Sequence, residues 1–191
     1  RSGAWMSSFQ DQHRLAGDSG DQEQIPFVIN VMNFAKSAAG QPVLITMDDA
    51  RTLFHEFGHA LHGMLSNVTY PSISGTSVSR DFVELPSQLF EHWLTVPSIL
   101  QEYAVHYETG EPIPDALLEK LRAAGKFNKG FTNVEFTSSA LVDMAFHALS
   151  PEEAADIDPE AFQAGVLADI GMPSEIVMRH ATLHFSHVFS G

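Results

Sequence analysis

Apolar residues between positions 49 and 66 recur every three or four residues, which is the spacing of one face of an α-helix. Two carboxylates, Asp48 and Asp49, stand at the start of this run, where they can accept hydrogen bonds from free backbone amides and suit the helix dipole. The pattern predicts a helix over about 49–66. The residues of its apolar face are Leu53, Phe57, Ala60, Leu61 and Met64.

The rest of the chain predicts more helices and little β-structure. Apolar spacing predicts helices over 80–95, 98–109, 114–124, 131–149, 159–169 and 173–181, with Pro86 near the start or at a kink of the first. Short apolar runs predict a strand over 27–34 and a strand or extended segment over 42–47. Polar stretches predict loops over 11–24 and 67–79. The expected fold is mostly α with a small β-sheet (α+β), in one core over residues 1–191.

Composition narrows the classes of function. The chain has 24 acidic and 10 basic residues, so neither nucleic acid nor an anionic membrane surface is an expected partner. It has no cysteine, which excludes disulfides, thiolate metal ligands and a cysteine nucleophile. No apolar run has the length of a membrane span and no signal peptide is visible, so a cytoplasmic location is expected. Arg1 is not an initiator methionine, so an upstream segment is expected.

The strongest chemical signal is the motif H-E-x-x-H at residues 55–59. Histidines four residues apart lie on one face of a helix, so the side chains of His55 and His59 can converge on one metal ion. Zinc accepts neutral nitrogen ligands and, with three protein ligands, keeps a position for water. Glu56 is expected to take a proton from that water as it attacks a carbonyl group. A chance match to the motif has a probability of about a few per cent in this composition.

A third ligand is needed, and three carboxylates follow on the next predicted helix. These are Asp81, Glu84 and Glu91, and spacing alone does not choose among them. Glu84 is the preferred ligand because it stands inside an apolar run, where a buried charge needs a partner. The alternative for Glu84 is a buried ion pair with Arg80. Asp81, Gln88 and Glu91 could instead orient the histidines, although each is more often a surface or capping residue.

Three stretches resemble the thimet oligopeptidase family of zinc metallopeptidases. They are FHEFGHALH at 54–62, SGT at 74–76 and RDFVELPSQ at 80–88. The continuation through Glu91-His92-Trp93 resembles the peptidyl-dipeptidase branch, the bacterial dipeptidyl carboxypeptidases. The resemblance extends from Gly3 to Phe189, which is nearly the whole chain.

The resemblance implies a site and a reaction that spacing did not give. It implies one zinc ion with His55, His59 and Glu84 as ligands and Glu56 as the base. It also implies a mostly helical zincin fold with a channel that admits short peptides, release of dipeptides from their C-termini, and a bacterial cytoplasmic enzyme. A further residue, His187, is implied to hold substrate and stabilise the transition state, whereas His147 fits the family pattern but is read as packing.

Substrate contacts are expected elsewhere too. Gly75 could let a peptide approach closely because it has no side chain, and 3–6 or 30–34 could supply a strand edge for backbone hydrogen bonds. Ordinary turn or sheet structure is the alternative for each.

The chain also departs from the family. A Gly- and Tyr-rich segment that follows the position of Phe189 in the family, and a large N-terminal helical half, lie beyond the sequence. The alternative to an active peptidase is therefore a zinc-binding fragment that is catalytically silent. A helical interaction domain with a fortuitous motif is the third hypothesis, and the combined signals disfavour it.

Overall fold

The structure is a computed structural model that describes residues 3–15 and 23–186. The chain divides into two compact units, residues 1–115 and 116–191. The first unit holds the H-E-x-x-H motif. The expectation of one core over 1–191 stays a prediction.

The first unit begins with a two-stranded antiparallel sheet. Strand β1 (Trp5–Gln10) pairs with β2 (Phe27–Val31) in a register that places Trp5 opposite Val31. The predicted strand at 27–34 is confirmed with a shorter end. The second predicted stretch, 42–47, has no strand, and its apolar side chains Val43 and Leu44 are exposed. An apolar run needs a neighbouring strand to bond with, and sequence alone does not show whether one is present.

Helix α1 (Met47–Met64) packs against both strands. It begins with a capping box: Asp49 N–H donates to Thr46 Oγ1 at 3.1 Å, and Thr46 N–H donates to Asp49 Oδ2 at 2.9 Å. These two bonds satisfy donors that the first helical turn leaves free. On the sheet side, a Cβ on Gly63 would lie 2.9 Å from Val28 Cγ1, so the helix runs very close to β2.

A loop with a short 3₁₀ turn (Pro71–Ile73) leads to α2 (Leu85–Glu91), which packs against α1. The prediction of a helix from residue 80 is wrong at its start, because residues 80–84 form turns. Pro86 stands in the first turn of α2, where its missing N–H costs no hydrogen bond. Beyond α2 follow a 3₁₀ turn (His92–Thr95) and α3 (Pro97–Tyr103).

Helix α3 is shorter than predicted. The chain reverses after Tyr103, where His106 N–H donates to Glu111 O at 2.8 Å and Ile113 N–H to Ala104 O at 2.8 Å. Gly110 has a φ of 69° in this turn, a conformation that glycine adopts without steric cost.

The second unit is helical. It contains α4 (Asp115–Ala124) from its second residue on, α5 (Lys129–His147), α6 (Pro151–Ala154) and α7 (Pro159–Asp169). Phe146 and Phe162 join α5 to α7 with ring centroids 4.5 Å apart. The predicted helix at 173–181 is wrong: this segment forms turns at 174–175 and 179–180 with irregular backbone between them, where Met178 is buried. Pro173 accepts one turn hydrogen bond, from Ile176 N–H at 3.0 Å.

These elements confirm a mostly helical α+β fold with a small sheet. Within the described ranges, none of the helices combines the length and apolar character that crossing a membrane requires.

Candidate metal centre

Helix α1 brings His55 and His59 together one turn apart. Their ring centroids are 4.9 Å apart, and the ring planes are nearly perpendicular at 87°. His59 is buried and His55 is half-buried. The predicted convergence of the two imidazoles is therefore present.

Glu84 supplies the third group. Its Oε2 atom lies 3.2 Å from Nε2 of His55 and 3.2 Å from Nε2 of His59. Glu84 was preferred because a buried position was expected for it. That expectation is wrong, because the Glu84 side chain is 51% exposed and stands at the N-cap of α2. Within the described residues, no ion pair joins Glu84 to Arg80.

The spacing of these three groups fits a small cation. Their ligand atoms lie within 4.8 Å of one another. Two ligands of a tetrahedral zinc ion, with bonds of about 2.0–2.1 Å, lie about 3.3 Å apart. The two nitrogen–oxygen distances of 3.2 Å are close to that value. Two imidazoles and one carboxylate are also a donor set that zinc accepts while keeping a further position open.

Glu91 orients one of the two imidazoles. Its Oε1 atom lies 2.8 Å from His55 Nδ1. A carboxylate accepts a hydrogen bond at this distance, so the contact favours the tautomer with hydrogen on Nδ1, which leaves Nε2 free as a ligand. Of the three carboxylates and amides suggested for this role, Glu91 is the one with that contact. Asp81 and Gln88 are exposed, and within the described residues neither hydrogen-bonds to the two histidines.

Helix α1 buries two imidazole nitrogens besides the ligand atoms. His59 Nδ1 is buried and has no hydrogen-bond partner among the described residues, and the same holds for His62 Nδ1. Burial lowers the pKa of His62, and a positive charge on His59 lowers it further. The His62 ring faces Phe82, with the two ring centroids 6.1 Å apart.

Glu56, which follows His55 in the chain, is buried. It is 7% exposed, and no ion pair within the described residues includes it. Burial of a carboxylate without a cationic partner costs free energy, which makes Glu56 a candidate for a functional role.

The two elements of the site touch at Gly58. A Cβ at this position would lie 2.6 Å from Ser87 Cα and 2.7 Å from the Pro86 carbonyl oxygen. No real side chain fits at such distances, so α2 approaches α1 to the point where only glycine is tolerated. The glycine in H-E-x-x-H therefore fixes how near the Glu84 element comes to the histidines.

Ser87 is a contact that sequence reasoning missed. Its Oγ atom lies 2.7 Å from Glu84 Oε2 and 3.0 Å from the Glu84 carbonyl oxygen. The signal that could have found it is the spacing of three residues, which places Ser87 one turn beyond Glu84.

Gly75 has a structural role in this fold. It is buried with a φ of 55°, and a Cβ on it would lie 3.2 Å from Gly63 Cα. Its N–H donates to Ser66 Oγ at 2.7 Å. The close approach that favours glycine here is thus to the C-terminal turn of α1, and a role in binding substrate stays a prediction.

The remaining predicted groups lie away from these contacts or outside the description. His187 lies outside the described residues, so its role stays a prediction. His147 is in α5, with Nδ1 2.8 Å from Asp143 Oδ1. Strands β1 and β2 are the two strands of the sheet within the described residues, so each has one edge without a strand partner there.

Known proteins are similar to this chain along its whole length. The model of Peptidase family M3 matches residues 1–191. The chain is 44% identical over 190 residues to a dipeptidyl carboxypeptidase of Escherichia coli. The alignment covers 99% of the chain and 27% of that relative. The chain is 40% identical over 190 residues to a dipeptidyl carboxypeptidase of Salmonella typhimurium, with the same two coverages.

A second kind of relative is nearly as similar. The chain is 39% identical over 194 residues to oligopeptidase A of Escherichia coli. This alignment covers 100% of the chain and 28% of that relative. The chain thus spans little more than a quarter of the length of the curated relatives that it matches. Since the match runs from the first residue to the last and contains the two histidines and the carboxylate that meet in the structure, the chain belongs to peptidase family M3.

Proposed function

We propose that this chain carries the zinc site of a peptidase that hydrolyses short peptides. The observation that supports the proposal is the meeting of His55, His59 and Glu84, with one carboxylate oxygen 3.2 Å from both imidazole nitrogens. One zinc ion held there would act as a Lewis acid toward a water molecule and a peptide carbonyl group. Membership of a peptidase family agrees with this chemistry.

Glu56 is proposed as the general base. The attacking water forms a bond to the carbonyl carbon and gives a proton to the Glu56 carboxylate. Glu56 then gives this proton to the leaving nitrogen as the carbon–nitrogen bond breaks. The position of Glu56 beside His55 in the motif supports this role, and no ion pair within the described residues occupies its carboxylate.

The products are proposed to be dipeptides released from the C-terminus of the substrate. The names of the relatives with 44% and 40% identity support this choice over the internal cleavage of an oligopeptidase. The two modes differ in their products. A peptide of about ten residues would lose two residues at a time in the first, and would be cut once or twice internally in the second. Mass spectrometry of a time course separates them.

The zinc proposal is tested by metal content and hydrolysis measured together. Glu84→Ala is expected to lose zinc on dialysis, because a third of the protein donor set is gone. Asp81→Ala, an exposed carboxylate three residues earlier, is the matched control and is expected to keep zinc. Equal zinc in wild type and Glu84→Ala would rule out Glu84 as a ligand.

The base is tested separately. Glu56→Gln is expected to keep zinc while hydrolysis falls about 10²- to 10⁴-fold, because the proton acceptor is lost and the ligands remain. Unchanged turnover would reject Glu56 as the base. Wild-type protein that holds zinc and cleaves no peptide would favour the second hypothesis, a zinc-binding chain that is catalytically silent. Roles for His187 and Gly75 with substrate, and a cytoplasmic location, stay predictions.

A further inference from the structure

Of the three proposed ligands, Glu84 has the most exposed side chain. His55 and His59 are fixed by a helix of 18 residues, and both rings are at least half-buried. The Glu84 side chain is 51% exposed and belongs to a turn. A flexible carboxylate in water has several rotamers, so something must select the one that faces the two imidazoles.

Ser87 provides that selection. It is 0% exposed, so its hydroxyl group has no access to water and must bond within the protein. The Oγ–Oε2 distance of 2.7 Å is that of a hydroxyl group donating to a charged carboxylate. The bonded oxygen is Oε2, the same atom that lies 3.2 Å from both histidines.

Ser87 is itself held by backbone packing. Its Cα atom stands against Gly58, where a Cβ would come within 2.6 Å. Gly58 lies between the two histidines in the chain, so the position of Ser87 is tied to the helix that carries the other two ligands. A hydrogen bond from Ser87 therefore holds the Glu84 carboxylate in a fixed position relative to the helix face that carries His55 and His59.

We propose that Ser87 is a positioning residue for the metal site: its hydroxyl group holds Glu84 Oε2 opposite the two imidazoles. One lone pair of Oε2 accepts from Ser87 and the other stays available to a cation. This inference rests on the zinc-binding part of the proposed function. It does not require that the chain hydrolyse peptides.

The test compares zinc affinity in variants of the full chain, measured by competition with a chromophoric chelator. Ser87→Ala is expected to raise the zinc Kd by roughly 10- to 100-fold, the usual effect of losing a group that orients a ligand. Ser138→Ala is the matched control. Ser138 is a helix serine that is 3% exposed and donates to the carbonyl oxygen three residues earlier at 3.0 Å, but among the residues that the structure describes it has no carboxylate partner. Its replacement is expected to leave the zinc Kd unchanged.

A pair of isosteric variants separates the hydroxyl group from packing. Ser87→Thr keeps the hydroxyl group and Ser87→Val replaces it with a methyl group of similar size. The Ser87→Thr variant is expected to bind zinc at least about tenfold more tightly than the Ser87→Val variant. The visible absorption of bound Co²⁺ should also change in Ser87→Val, because this spectrum reports the geometry of the ligands. If Ser87→Ala fails to fold, the Thr–Val comparison decides.

Equal zinc affinities for Thr and Val, or for wild type and Ser87→Ala, would overturn the inference. Wild-type protein that binds no zinc would overturn both this inference and the proposed function. Wild-type protein that binds zinc without cleaving peptides would reject hydrolysis alone, and the zinc affinities of the Ser87 variants would still decide the role of Ser87.

Discussion

Replacement of Gly58 by alanine would place a methyl group in the contact between α1 and α2. The new Cβ would lie 2.6 Å from Ser87 Cα, 2.7 Å from the Pro86 carbonyl oxygen and 3.1 Å from Phe90 Cβ. Two of these three neighbours are backbone atoms, which cannot turn aside as a side chain can. Helix α2 would therefore have to move away from α1, taking Glu84 with it.

Two opposing effects set the change in stability. Alanine favours a helix interior over glycine by about 1 kcal/mol. Overpacking costs about 1–3 kcal/mol. Gly165→Ala, in α7, is the matched control because no heavy atom among the described residues lies within 4 Å of its Cβ position. The propensity gain is common to both variants, so the difference between them isolates the overpacking cost, at about 1–3 kcal/mol.

The assay is urea unfolding of metal-free protein, followed by zinc affinity. Gly165→Ala is expected to be more stable than wild type and to bind zinc equally well. Gly58→Ala is expected to be less stable than Gly165→Ala and to bind zinc more weakly, since the carboxylate moves away from the imidazoles. If Gly58→Ala gained as much stability as the control and kept its zinc affinity, the close approach of α2 would not hold the site together.

Two other predictions concern hydrogen bonds to carboxylates. Glu91→Gln should weaken zinc binding by roughly 10-fold or more, because the amide holds His55 Nδ1–H less firmly than a carboxylate does; zinc competition checks this, and an unchanged Kd would contradict it. The pKa of Glu153 should lie below its ordinary value, because the backbone N–H of Ser150, and then its hydroxyl group, stabilise the charged form. Such a group stabilises the fold above its unfolded pKa, and this stability is lost as pH falls through the lowered folded pKa. An NMR titration should show that pKa move upward in Ser150→Ala, and no movement would contradict the role of the hydroxyl group.

Local sequence was sufficient for α1 and its two histidines. Apolar spacing located the helix to within about two residues, and Asp49 was correctly placed at its start, although Thr46 as the cap was not foreseen. The side chains of His55 and His59 converge because residues four apart share a helix face. No distant residue is needed for that geometry.

Distant contacts decided the rest of the site. Glu84 and Glu91 lie 29 and 36 residues after His55, so no periodic pattern links them to it. The apolar neighbours of Glu84 in the sequence suggested a buried side chain, but half of that side chain is exposed. The contact of Glu91 with His55 depends on how closely α2 packs against α1, which Gly58 controls.

The sequence by itself determined which chemistry was possible: two imidazoles and a glutamate on one helix, in a chain without thiols. The tertiary structure alone decided which carboxylate completes the cluster and which hydroxyl group bonds to it. It also left 42–47 without a strand partner and 173–181 in turns and irregular backbone. The physical reason is the same in each case. Spacing along a helix fixes contacts within about one turn, whereas packing between separate segments depends on all the side chains and backbone atoms that meet there.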